Sequence, residues 1–269
     1  MKYLEGIILH IKEHYITVPY LKSERRVRVL LPEDYGVDTT TTYPVVYFHD
    51  GQNVFYDEDS YSGHSWGVIS TIKNNLDLSP MIVVGIDNDA ERRMDEYTPW
   101  SITDSPFFKD VEIESLGVEY ATFVMDVVKP FIDETYRTKS DKKHTAMIGS
   151  SAGGNISSYM GVEYQEEIGC LGIFSLANWI APGAFKDFLT KQSLDLDQLI
   201  FIQVGTQEDE ELELKQAYID CSVDYARQLL LKGLPLENVS LNISADDRHN
   251  EKAWARHLNH CFEFLSQDW

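Results

Sequence analysis

Cysteine is scarce in this chain: three residues in 269, Cys170, Cys221 and Cys261, widely spaced and set in apolar or helical contexts. An odd, scattered set disfavours both a disulfide framework and a zinc site, so these residues read as reduced packing side chains. Long apolar runs are missing as well. No stretch approaches the roughly 20 apolar residues that a membrane-spanning helix needs. The opening MKYLEGIILHIKEHY has no basic region ahead of its short apolar stretch and no small-residue cleavage site after it. A soluble, cytoplasmic protein that does not engage membranes is expected. Basic residues are outnumbered: 23 Lys and Arg against 44 Asp and Glu give a formal net charge of -21. Such a field repels phosphate backbones and anionic surfaces, which argues against nucleic acid as a partner. None of the eight histidines falls into HExxH or another metal-ligand spacing, and no GxGxxG loop is present, so neither metal nor cofactor is expected. Repeats, low-complexity segments and linkers are also absent.

What is present suits one α/β domain spanning 1–269, since 43% of the residues are hydrophobic, enough for one sizeable core. The 15 Tyr and 5 Trp fit either a cleft that handles organic groups or an aromatic-rich core. The segments Ile7 to Val18 and Arg25 to Leu31 are β-rich, separated by Pro19 and a polar turn, and Pro32 to Thr42 reads as loop. The chain thus begins as antiparallel strands. Apolar runs then alternate with amphipathic stretches, which predicts a mostly parallel sheet with helices on both faces. The predicted strands are Val45 to His49, Met81 to Ile86, Thr145 to Gly149, Leu171 to Leu176, Leu199 to Val204 and Val239 to Ile243. Helices are predicted at Trp66 to Asn75, Gly117 to Glu134, Gly153 to Tyr164, Leu212 to Lys232 and Glu251 to Leu265. Two irregular stretches, Asn53 to Ser65 and Asp87 to Glu114, each follow the C-terminal end of a strand, where open α/β sheets hold their ligands.

The informative segment is HTAMIGSSAGGNISSYM, in which Gly149-Ser150-Ser151-Ala152-Gly153 spells GxSxG between an apolar strand and a helix. In a nucleophile elbow the serine sits on a tight strained turn, and the positions two before and two after it need minimal side chains. Gly149 and Gly153 meet that demand. Ser151 would then stand at a helix N-terminus, where the free amide of Ala152 can donate to an oxyanion. An ordinary Gly-rich turn is the bland alternative. Ser150 is the competing hydroxyl, but Ile148 and Ala152 do not give it paired glycines.

A serine nucleophile needs a base, and His249 follows the last predicted strand and the polar loop Ser244-Ala245-Asp246-Asp247-Arg248. His257 and His260 on the last helix, His10 and His14 in the first strands, and His144 before the elbow strand read as solvated or packing residues. A carboxylate that fixes the imidazole tautomer is expected after the preceding strand. Glu208 is favoured there, with Asp209 second and Asp247 third, although an acidic run at a helix start is also what the helix dipole favours. A second oxyanion donor is expected from Tyr47-Phe48-His49-Asp50-Gly51-Gln52-Asn53, with the Gln52 amide aimed by the turn at Gly51. Asn53, Phe55, Trp66, Arg92, Tyr97, Asn178 and Trp179 are the candidates for lining the cleft. Phe55 and Trp66 fit a core equally well, and Arg92 or Arg93 would equally suit simple pairing with acidic neighbours.

With these residues in hand, the chain resembles the putative-esterase family of enterochelin-esterase-like proteins, feruloyl and acetyl-xylan esterases, esterase D and mycolyltransferases. The matching segments are FHDGQNVF at 48–55, RRMDEYTPW at 92–100, VKPFIDETYRT at 128–138, IGSSAGGN at 148–155 and RHNEKAW at 248–254. The resemblance implies an α/β-hydrolase fold, Ser151 as nucleophile, His249 as base, backbone donors at Gln52 and Ala152, and an acid in the GTQE segment. Some enterochelin-esterase-like members manage with a Ser-His dyad, and Ala152 stands where many relatives carry Met. The function expected is a serine carboxylic-ester hydrolase working through an acyl-enzyme on small acyl or carbohydrate-type esters. Acyl transfer or thioester hydrolysis by the same apparatus, and a non-catalytic ligand-binding module, remain open, as does self-association into a homo-oligomer.

Overall fold

The computed structural model describes residues 3–4, 7–8, 10–102, 107 and 112–269. Leu9 of the first predicted strand, the side chains of Ile7, Ile8 and His10, and 103–106 and 108–111 of the second irregular stretch lie outside what is described. A short antiparallel pair, β1 (Tyr3–Leu4) and β2 (Ile7–Ile8), precedes the main sheet. That sheet has eight strands: β3 (His10–Val18), β4 (Ser23–Leu31), β5 (Val45–Phe48), β6 (Ile82–Ile86), β7 (Thr145–Ser150), β8 (Cys170–Phe174), β9 (Leu199–Gln207) and β10 (Val239–Arg248). Their order is β10-β9-β8-β7-β5-β6-β4-β3, with β3 and β4 antiparallel and β5 to β10 parallel among themselves.

The chain moves from β5 outward to β6, then crosses back past β5 to lay down β7 and its successors. Connections therefore leave β5 and β7 in opposite directions, which opens a crevice at their C-terminal ends. The two strands run in register from Val45↔Thr145 to Phe48↔Ile148. Whatever follows Phe48 and Ser150 shares that crevice.

Side chains alternate across the sheet, as pleating demands. Val45 and Tyr47 join one core with Ile156, Phe185 and Tyr225, whereas Val46 and Phe48 join the other with Trp66, Trp254 and Phe262. Helices α3 (Gly117–Phe123), α4 (Lys129–Thr135), α5 (Ala152–Glu163), α6 (Pro182–Lys191) and α7 (Leu212–Leu231) supply the first core. Helices α1 (Val68–Asn74) and α8 (Glu251–Leu265) supply the second. The mixed sheet covered on both sides is the α/β-hydrolase architecture expected from the sequence.

Four differences from the expectation have physical causes. The helix predicted over Gly117 to Glu134 is interrupted by a π turn at Val124–Val128. Pro130 has no N–H to offer, so the ladder ahead of it rewinds. Helix α6 falls where the sequence predicts none; it starts on Pro182 and buries only Phe185 and Leu189, too few anchors to mark a period. Strand β10 runs five residues past Ile243 through polar sequence, because an edge strand needs backbone pairing with β9 rather than an apolar face. The first irregular stretch includes a 3-10 turn at Asp57–Asp59, and the second includes the short helix α2 (Arg93–Glu96).

Candidate active site

The β7–α5 junction explains its own glycines. A Cβ on Gly149 would overlap the Gly153 carbonyl oxygen, so strand and helix close on each other only without it. Ser151 between them takes φ 59° and ψ −125°, a conformation costly for an L-residue. Its N–H donates to the Phe174 carbonyl at 2.9 Å, which pins the turn to β8. Ser151 is partly exposed while Ser150 is buried, so of the two hydroxyls that of Ser151 is the accessible one. Ala152 opens α5, and its N–H therefore has no carbonyl to serve within the helix.

His249 follows β10 directly. Its Nδ1 pairs with Glu208 Oε2 at 2.7 Å. Glu208 is buried, and its other oxygen accepts from Ser175 Oγ at 2.7 Å and the Gly205 N–H at 2.5 Å. Ser175 in turn accepts from Trp254 Nε1 at 2.8 Å. The Trp254 ring then stands edge-on to His249 with centroids 5.1 Å apart. The carboxylate is thus held by Ser175 and Gly205 before it meets the imidazole, and its bond to Nδ1 leaves Nε2 as the free ring nitrogen. Of the two alternative acids, Asp209 accepts from the Glu211 N–H at the approach to α7. Asp247 is taken by Arg256 and by His257 Nε2.

The other side of the crevice is the turn after β5. Asp50 adopts φ 53°, and a Cβ on Gly51 would meet the Gly85 carbonyl carbon at 2.5 Å, so the loop lies directly on β6. Gln52 sits in the following 3-10 turn, its side-chain oxygen accepting from the Asn88 N–H at 3.0 Å. The Asp50 carboxylate is gripped by Arg93 through Nε at 2.8 Å and Nη2 at 2.7 Å. Burial pushes Asp50 up, but Arg93 and Asn88 outweigh it and hold the carboxyl below its usual range. Neighbouring His49 shares a hydrogen bond at Nδ1 with the Tyr120 hydroxyl, and burial drives its pKa down to about 4. The elbow and this loop touch: a Cβ on Gly153 would lie 3.3 Å from Asp50 Oδ2.

Ser151, Ala152, His249, Glu208 and Gln52 are thereby gathered around one mouth of the sheet. The expected cleft residues divide. Trp179 is buried and packs edge-on against Tyr218 at 5.4 Å, and Asn178 beside it is buried in the same turn. Tyr97 is fully buried, and its hydroxyl accepts from the Asp50 N–H at 3.1 Å, so it supports the loop rather than lining a cleft. Asn53 is likewise buried, donating to Glu251 Oε1 at 2.8 Å. Phe55 and Trp66 belong to the core under α1 and α8. Arg92 faces outward and pairs with Glu114 at 2.7 Å, because one helical step rotates Arg93, not Arg92, toward the crevice. His14 bonds Tyr136, His144 bonds Asp141, His257 bonds Asp247, and His260 packs on Phe201.

The sequence assigned no role to Ser175 and Tyr218, nor to Glu251 and Trp254 beyond their place in the RHNEKAW segment. Tyr218, on α7, has its ring 4.7 Å from that of His249, and the Ser151 hydroxyl is among the groups that lower its phenol pKa against the larger rise from burial. No group of described residues has the acid, histidine and cysteine content to hold a metal ion, and no described helix is long and apolar enough to cross a membrane.

Known proteins share this fold. A curated relative, an uncharacterized protein YbbA of Bacillus subtilis (strain 168), is 24% identical over 247 residues, covering 90% of this chain and 93% of its own. Among solved structures, a ferulic acid esterase superposes with a TM-score of 0.73 at 15% identity, covering 97% of this chain and 99% of that one. An IroE-like serine hydrolase from Shewanella oneidensis superposes with a TM-score of 0.71 at 17% identity, over 96% of this chain and 79% of that one. The family described as putative esterase matches residues 19–265. With that match across nearly its whole length and the α/β-hydrolase fold around it, this chain belongs to the putative esterase family of ester hydrolases.

Proposed function

We propose that the protein is a serine carboxylic-ester hydrolase that works through an acyl-enzyme on small soluble acyl or carbohydrate-type esters. Ser151 Oγ attacks the ester carbonyl and its proton passes to His249 Nε2. Glu208 holds the opposite ring nitrogen and stabilises the imidazolium that forms. The N–H groups of Ala152 and Gln52 receive the oxyanion, a contribution of roughly 3 kcal/mol for each well-aimed donor. Collapse expels the alcohol with the proton from His249, and water repeats the sequence on the acyl-enzyme.

The observation that carries this reading is the Glu208–His249 bond at 2.7 Å, with the glutamate itself anchored by Ser175 and Gly205. A surface histidine that merely paired with a carboxylate would not need a buried partner prearranged in this way. The chain's excess of negative charge favours neutral esters over anionic ones.

Hydrolysis of p-nitrophenyl acetate tests the reading. Turnover should fall by about 1000-fold or more in Ser151→Ala and in His249→Ala, and by a similar order in Glu208→Gln. Full activity in Ser151→Ala removes that hydroxyl from the mechanism. Partition of the acyl group between water, an alcohol and a thiol distinguishes hydrolysis from acyl transfer, and no turnover of any ester would favour a binding module.

A further inference from the structure

Tyr218 holds a place that a serine-histidine-acid mechanism does not use. It projects from α7 into the crevice and is 6% exposed. Its ring is fixed from two sides, by His249 at 4.7 Å with a 43° tilt and by Trp179 edge-on at 5.4 Å. The Ser151 hydroxyl is near enough to its phenol to act against the rise in pKa that burial causes. Tyr218 therefore packs against the proposed base with its phenol toward the proposed nucleophile. In unliganded enzymes the bond between nucleophile and base is often formed only with substrate.

The placement has a direction. The two backbone donors approach from the α5 N-terminus and the β5 turn, whereas Tyr218 approaches from the side of His249. The leaving group must depart on the imidazole side, because His249 protonates it. We infer that Tyr218 is a further catalytic residue, whose phenol donates a hydrogen bond to the departing alkoxide oxygen of the ester. This rests on the reading of Ser151 as nucleophile. The chemistry balances without a new proton. The Ser151 oxygen forms its bond to the carbonyl carbon as its proton moves to His249. The carbon–oxygen bond to the leaving group then breaks, its electron pair stays on the alkoxide, and His249 returns the proton there. Tyr218 keeps its own proton throughout. Burial raises its pKa, with the Glu208 and Asp209 charges adding to that and Ser151 and Arg93 opposing it, so the phenol remains a neutral donor at physiological pH.

The test is a series of acetate esters whose leaving groups run from p-nitrophenol through phenol to ethanol. All share one acyl-enzyme, so kcat/KM isolates acylation. In Tyr218→Phe, kcat/KM for p-nitrophenyl acetate should change less than about threefold, since that anion leaves unaided. For ethyl acetate it should drop about tenfold to hundredfold, the range expected when one hydrogen bond to a developing charge is lost. The plot of log kcat/KM against leaving-group pKa should therefore steepen in the variant. Equal losses along the series, or none, overturn the role of Tyr218 while leaving Ser151 in place. A wild-type protein with no esterase turnover and no reaction with a fluorophosphonate overturns the nucleophile reading and this inference together.

Discussion

Asn53 Nδ2 donates to Glu251 Oε1 at 2.8 Å, across 198 residues of sequence. The first residue follows Gln52, the proposed oxyanion donor, and the second lies two places after His249. The other Glu251 oxygen accepts from Ser62 Oγ at 2.5 Å, and Asn53 Oδ1 accepts from the Tyr61 N–H at 3.0 Å. Buried Glu251 thus binds the turn after β5, the 53–65 loop and the loop that carries His249 into one unit. Glu251→Ala strands the buried Asn53 amide and should cost about 1–3 kcal/mol in urea unfolding. It should also lower kcat/KM about tenfold through misalignment. A variant with unchanged activity would separate this network from the site.

The Asp50–Arg93 pair should act through the same loop. Arg93→Ala leaves a buried carboxylate without its counter-ion, which we expect to cost about 2–3 kcal/mol, since Arg93 is itself a quarter exposed. Lysine keeps the charge but not the two-pronged grip, so Arg93→Lys should recover only part of the loss. Denaturant unfolding of the three proteins orders them directly; a difference below about 0.5 kcal/mol would assign the pair no structural weight.

Positive φ at Ser151 gives a prediction of opposite sign. Glycine adopts that conformation without the Cβ conflict, so Ser151→Gly should raise stability by about 1 kcal/mol while removing the proposed nucleophile. Thermal unfolding checks it. A destabilised Ser151→Gly protein would mean that the elbow holds no strain.

Acid sensitivity should trace to His49. Its folded pKa is lowered by burial to about 4 from the ordinary 6.5. Between those values the unfolded chain binds a proton that the folded chain does not. Stability from this group is complete above pH 6.5 and is lost as pH falls toward 4, by about 3 kcal/mol at most. Asp50 works lower: its depressed folded pKa gives a contribution complete above about pH 4 and lost below it. His49→Gln should flatten the unfolding free energy between pH 6.5 and 4. An unchanged slope there would place the titrating group elsewhere.

The elbow turn, the strands of the mostly parallel sheet and the place of His249 were legible because each is written in local chemistry: two glycines around Ser151, apolar runs of strand length, and a histidine after the last of them. The carboxylate expected beside His249 was ranked from position alone as Glu208, then Asp209, then Asp247, and Glu208 is the one that bonds Nδ1. Arg256 and His257, which engage Asp247, reach it only once α8 folds back over β10. Arg92 and Arg93 are adjacent, and a helix of four residues has no period from which to read its inward face. Phe55 and Trp66 follow strand ends as cleft residues do, yet the second core needed their area. Tyr218 lies in a helix 67 residues beyond Ser151, with no motif around it.

Fluorophosphonate labelling followed by peptide mass mapping tests the central claim most directly. The account predicts one stoichiometric adduct, on Ser151, that is absent from Ser151→Ala and forms far more slowly in His249→Ala. An unmodified wild-type protein, or an adduct on Ser150, would contradict it.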